Sequence, residues 1–127
     1  MKFGEQLKEF RIRKELTLRQ CSAGLGVDPS NWSKWERGVN PAPKDIEILE
    51  AWADFFGLQD GDKLEFLDAA ALSRRELPAD IASDEKVLAA LPAFFRAARG
   101  AELTEVQLRQ LVEDVRALHS PNTLAKK

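Results

Sequence analysis

Apolar side chains recur along this chain at intervals of three and four, the period of a helix with one face turned inward. No stretch shows the sustained alternation of a half-buried strand. Phe3, Leu7 and Phe10 open the pattern and predict a first helix over 3–15, whose apolar face needs a partner. Thr17, followed three residues later by Gln20, has the spacing of a capping box, so a second helix starts near Leu18. Gly24 and Gly26 end it. Gly26 is expected in the left-handed region, because the chain must turn within three residues and glycine does so without steric cost. A third helix begins with Asp28 as N-cap and Pro29 at its first position, and stops at Gly38.

At 100° per residue, Trp32 and Trp35 fall on one side of the third helix and Ser30, Ser33, Lys34 and Arg37 on the other, with Asn31 on the flank. The tryptophans read as anchors to a core. The ridge opposite is slim enough for a DNA major groove about 12 Å wide; an ordinary amphipathic surface helix has a polar outer face as well. The two prolines within 39–44 predict a rigid extended loop.

A fourth helix over 44–56 places Ile46, Leu49, Ala53 and Phe56 on one face, and Ile48, Trp52 and Phe55 widen it past half the circumference. Such a helix is expected to be covered from two sides. A fifth, over 61–73, carries Leu64, Phe66, Leu67, Ala71 and Leu72 as its apolar residues. Residues 73–83 read as a linker. Asp84 then caps a sixth helix with Val87, Leu88, Leu91, Phe94 and Phe95 at helical spacing; Pro92 predicts a kink or a restart there, and Gly100 an end. Thr104 and Gln107 repeat the capping box, and a seventh helix to Leu118 bears a narrow stripe of Leu108, Leu111, Val115 and Leu118. Residues 119–127 carry no core signal and are expected to fray. The expected organisation is all-α, with an N-terminal domain over 1–72, the linker 73–83, a smaller C-terminal helical subdomain over 84–118 for dimerisation or partner binding, and the tail.

Composition narrows the function. Of the 127 residues 44% are hydrophobic and 31% charged, as in ordinary soluble proteins. With no apolar run of about 18 residues and no apolar core at the N-terminus, a cytoplasmic protein without a membrane partner is expected. One cysteine, Cys21, and one histidine, His119, supply neither an internal disulfide nor a Cys/His metal cluster, so no metal site is expected. His119 has no Ser or Cys close in sequence, Cys21 reads as packing, and Asp60 and Asp62 read as helix caps; no catalytic residue and no cofactor are assigned. The net charge is -2, yet residues 1–44 sum to +4 and 45–127 to -6. That asymmetry points to nucleic acid at the basic end, since phosphate attraction is local; two solvated faces differing by chance would look the same.

Leu16 to Gly38 resembles the helix-turn-helix of the Cro and phage-repressor-like family, also called the xenobiotic-response-element (XRE) family, of transcription regulators. The resemblance rests on Leu16 and Thr17 before the second helix, Leu25 to Val27 across the turn, and Glu36 to Gly38 at the end of the third helix. Arg11, the proline loop and an FFGL ending to the fourth helix extend it over residues 3–58. It implies a five-helix repressor-like domain and a sequence-specific repressor. One recognition helix contacts too few base pairs for useful specificity, so a homodimer on a near-palindromic operator with half-sites about 34 Å apart is expected.

Carried over by position, the resemblance implies that Ser30 and Lys34 reach base edges, with Ser33 and Arg37 at the groove edge or on phosphates. Asn31, Asn40, Lys44, Arg19 and Lys14 become phosphate candidates. Arg11 pairs with Glu36 inside the motif, alongside Trp32, Trp35 and Gly26. Outside the resemblance, the narrow stripe Leu108, Leu111, Val115 and Leu118 in the acidic half is the dimer candidate; a helix that caps its own subunit's core would carry the same stripe. Leu18 stands where the family has a phosphate-touching Gln, Ser22 where it has Ala, and Trp32 and Trp35 where aliphatic residues are usual; the loop after Gly38 is about three residues longer. Regulators with this motif include antitoxins and proteins removed by a dedicated protease. The alternative reading is therefore a partner-controlled regulator whose C-terminal region binds a toxin or protease.

Overall fold

The computed structural model describes residues 1–101 and 103–118, without the side chains of Ala101, Arg116 and Leu118; the expected tail, 119–127 with His119, lies outside the described residues. Among the described residues there are eight helices and no strand: α1 (Phe3–Arg13), α2 (Leu18–Leu25), α3 (Pro29–Glu36), α4 (Ile46–Phe55), α5 (Asp60–Ser73), α6 (Ala79–Ala82), α7 (Glu85–Ala101) and α8 (Glu105–Leu118). They fall into two units, one spanning Met1–Ser83 and one beginning at Asp84.

Local chemistry sets most of the boundaries in the first unit. α1 stops two residues earlier than its periodicity suggests, because Glu15 takes a left-handed φ of +58°. The Glu15 N–H then donates to the Ile12 carbonyl and the Leu16 N–H to that of Arg11, which closes the helix end. The capping box of α2 forms as expected: the Gln20 N–H donates to Thr17 Oγ1 at 3.1 Å and the Thr17 N–H to Gln20 Oε1 at 2.9 Å. Gly26 sits at φ +71° and turns the chain into α3. Asp28 occupies the N-cap position of α3, but its side chain makes no capping hydrogen bond, so Pro29 at the first position supplies the local start signal.

The core is aromatic and centres on Trp52 of α4. Its ring meets Trp32 at 5.0 Å and Trp35 at 4.9 Å between centroids, both edge-on, while Phe3 stacks at 6.5 Å. Leu7, Cys21, Leu49, Ala53 and Phe66 are buried around it. Two expectations need correction. Only Leu49, Trp52 and Ala53 of α4 are buried, and Ile46 and Ile48 are exposed, so this helix is not covered from two sides within the unit. On α5 the inward residues are Phe66, Ala69, Ala70 and Ala71, whereas Leu64 and Leu72 are exposed. At about 100° per residue Ala69 and Ala70 flank Phe66 and form the close-packing face, whereas the two leucines lie more than a quarter turn from it.

Helices α1 and α3 pack closely at Gly4. A Cβ placed on it would lie 2.5 Å from the Trp35 carbonyl oxygen and 2.7 Å from that of Glu36, both backbone atoms that cannot rotate away. Gly4→Ala is expected to cost about 1–3 kcal/mol by forcing the two helices apart. An unchanged urea midpoint would show that α1 shifts freely against α3.

The stretch expected to be a linker, 73–83, is only partly one. It contains the end of α5 and the four-residue helix α6. Its start is fixed to the proline loop: Ser73 Oγ accepts from the Ala42 N–H at 2.9 Å, and Arg74 Nη1 donates to the Pro43 carbonyl at 2.8 Å.

In the second unit Asp84 Oδ1 accepts from the N–H groups of Lys86 and Val87 and caps α7. Neither the restart at Pro92 nor the stop at Gly100 occurs: α7 runs through both to Ala101. Alanines at 89, 90, 93, 97 and 98 give it enough intrinsic propensity to carry the missing N–H of Pro92. The capping box of α8 forms, with Thr104 and Gln107 exchanging hydrogen bonds of 2.9 and 3.1 Å. No helix among the described residues is long and apolar enough to cross a membrane.

Candidate nucleic-acid interface

Helix α3 is fixed from behind by one carboxylate. Glu36 Oε2 accepts from Arg11 Nε at 2.6 Å and from Trp32 Nε1 at 2.5 Å, and Glu36 Oε1 accepts from Arg11 Nη2 at 3.1 Å. Arg11 Nη1 also donates to the Leu16 carbonyl at 2.9 Å, so this guanidinium ties α1, the approach to α2 and the end of α3 together. The hydrogen bond to Glu36 pushes the Arg11 guanidinium above its ordinary value, against the opposing effect of burial, and it stays charged at any accessible pH. Trp32 is fully buried. Trp35 is half-buried, and its Nε1 donates to the Pro41 carbonyl at 3.0 Å, holding the loop after α3.

The opposite side of α3 carries the polar ridge. Ser30, Asn31 and Arg37 are exposed, and Ser33 and Lys34 are half-buried. Arg37 Nε donates to Ser33 Oγ at 3.2 Å, which brings two of the candidates together. Among the described residues no carboxylate forms an ion pair with the Lys34 ammonium. The backbone at Lys34 is also fixed, since its carbonyl accepts from the N–H groups of Val39 and Asn40 at 2.8 and 3.3 Å.

The phosphate candidates are less uniform. Arg19 is exposed, and the Lys14 ammonium lies 5.4 Å from the Phe55 ring centroid, a cation–π contact that limits where this charge can reach. Lys44 pairs with Glu76 at 3.8 Å, and Glu76 also takes Arg74 at 3.2 Å. Leu18 packs partly against the core, and Ser22, buried at the α2 crossing, donates to the Leu18 carbonyl at 2.7 Å. Burial pushes the Cys21 thiol up to about 11, so it stays protonated near neutral pH and acts as a packing residue. In the second unit Leu108, Leu111 and Val115 are exposed on α8, while the side chain of Leu118 lies outside the described residues.

Several residues that hold this surface have no sequence signal pointing to it. Gly4 meets α3 only through the fold, and Ser73 and Arg74 reach back across some thirty residues to the loop. Short helices α2 and α3 joined at a left-handed glycine, with α3 clamped from behind and polar in front, define a helix-turn-helix DNA-binding domain. Residues 2–67 match the helix-turn-helix domain family, and the chain belongs to it, with a domain of the kind found in XRE/Cro-like regulators. No curated protein and no solved structure matches the chain.

Proposed function

We propose that this protein is a cytoplasmic, sequence-specific transcriptional repressor that binds a near-palindromic operator as a homodimer, with α3 in the major groove. The observation that carries this reading is the α3 ridge itself: Ser30, Ser33, Lys34 and Arg37 stand opposite a tryptophan and an ion pair that prevent the helix from rolling. Lys34 donates to guanine O6 and N7, and Ser30, which both donates and accepts, discriminates less sharply. Asn31, Lys14, Arg19 and Asn40 position the protein on phosphates. Lys44 joins them by exchanging Glu76 for a phosphate, an exposed ion pair that costs little to break.

Selecting bound duplexes from a random pool, then footprinting the selected sequence, tests specificity and half-site spacing together. A protected two-fold site with centres about 34–36 Å apart is expected; an unenriched pool would rule out sequence reading. Lys34→Ala is expected to leave folding stability within about 0.5 kcal/mol of the parent and to weaken operator binding by about 1–3 kcal/mol. Equal affinity of variant and parent in a fluorescence anisotropy titration would remove Lys34 from the base-reading set.

A further inference from the structure

Residues 84–118 have a surface that a single chain does not complete. None of the described side chains in this unit is buried. On α8, Leu108, Leu111, Val112 and Val115 fall within about 100° of the helix circumference, and α7 adds Leu88 and Phe95, seven residues apart. All six are between 41% and 49% exposed. Helices of 14 and 17 residues are marginal alone in water and need an apolar partner face.

We propose that the unit from residue 84 to 118 folds stably only against the same face of a second copy, so that folding of this unit and dimerisation are one equilibrium. The proposal deepens the homodimer reading above and rests on it. Two observations favour a second copy over another partner. The exposed apolar side chains of α7 and α8 offer roughly 500 Å² per copy, so a two-fold contact that engages both stripes closes about 1,000 Å², the lower bound of a specific interface. Residues 84–118 carry six acidic and five basic side chains, a near-neutral mixture that neither repels its own copy nor selects a strongly charged partner. The pairs Glu105–Arg109 and Gln110–Asp114 are satisfied within α8 and leave the apolar stripe as the surface to be covered.

The chain carries its own reporter, because Trp32, Trp35 and Trp52 all lie in the first unit. The full-length protein, without DNA, would be diluted stepwise and followed by sedimentation velocity, far-ultraviolet circular dichroism and tryptophan emission. Dimer dissociation should coincide with loss of the helical signal of α7 and α8, while tryptophan emission stays constant. The double variant Leu108→Glu/Leu111→Glu should weaken association about 30-fold or more, the effect of losing hot-spot side chains. Val106→Glu, on the far side of α8, should leave association unchanged.

A monomer with full helix content at every concentration would overturn the proposal, as would a dimer that dissociates without losing helix. Association only with a toxin or protease would overturn it too. DNA binding is measured separately: a chain that dimerises without operator affinity defeats the repressor reading alone, a dimer that dissociates without losing helix defeats the coupled folding alone, and a monomer that binds half-sites defeats both the coupled folding and the homodimer reading.

Discussion

Glu36→Ala is expected to destabilise the Met1–Ser83 unit by about 3–5 kcal/mol. The side chains of Glu36 and Arg11 are only 6% and 14% exposed, so neither charge can turn to water when its partner is removed. The substitution strands the guanidinium against α3 and leaves the buried Trp32 N–H without an acceptor. The loss measures the cost of an uncompensated charge, which differs from the net worth of the pair, because forming the pair already required both ions to leave water. Arg11→Met/Glu36→Leu is therefore expected to recover much of the stability. The remaining deficit would come from Trp32 Nε1, which loses its acceptor in both variants, and from the Leu16 carbonyl, which loses its Arg11 donor in the double variant. Urea denaturation followed by tryptophan emission compares the two; a loss below about 1 kcal/mol for Glu36→Ala would show that packing alone holds α1 to α3.

What the sequence made legible follows the range of the interactions involved. Thr17 with Gln20, Gly26, and Thr104 with Gln107 were readable because a capping box or a left-handed turn is decided within a few residues. Periodicity also placed α1 to α5, but it could not choose between overlapping stripes. Leu64, Leu72, Ile46 and Ile48 read as core, yet they are exposed, because smaller alanines on α5 and the large ring of Trp52 on α4 fill the interior instead. Gly4 was silent: its backbone needs no special conformation, and its requirement comes from carbonyls some thirty residues away. Arg11 and Glu36 were paired through the family resemblance alone; Trp32 lies four residues before Glu36, a spacing that makes them neighbours on the helix without specifying that the indole N–H would share the carboxylate. Lys44 entered as a phosphate candidate with no sign of its ion pair, because Glu76, on a stretch taken for linker, reaches it only in three dimensions.

Trp32→Ala is expected to cost about 3–5 kcal/mol, as large as any truncation in this core. Trp32 is fully buried, edge-on to Trp52 at 5.0 Å and 6.1 Å from Phe56, so its removal leaves a cavity bounded by rigid rings that cannot collapse into it. The same substitution removes one of the donors on Glu36, and the effects of Trp32→Ala and Glu36→Ala should therefore not add; a coupling of about 0.5–3 kcal/mol is expected between residues in one network. Trp32→Phe separates the contributions. It keeps most of the ring in the core and drops only the N–H, while Glu36 retains both bonds from Arg11, so a cost of about 1 kcal/mol from the hydrogen bond is expected, plus that of a smaller cavity. If Trp32→Phe instead cost as much as Trp32→Ala in urea denaturation, the carboxylate network rather than the aromatic core would be what fixes α3, and with it the orientation of the Ser30–Arg37 ridge toward DNA.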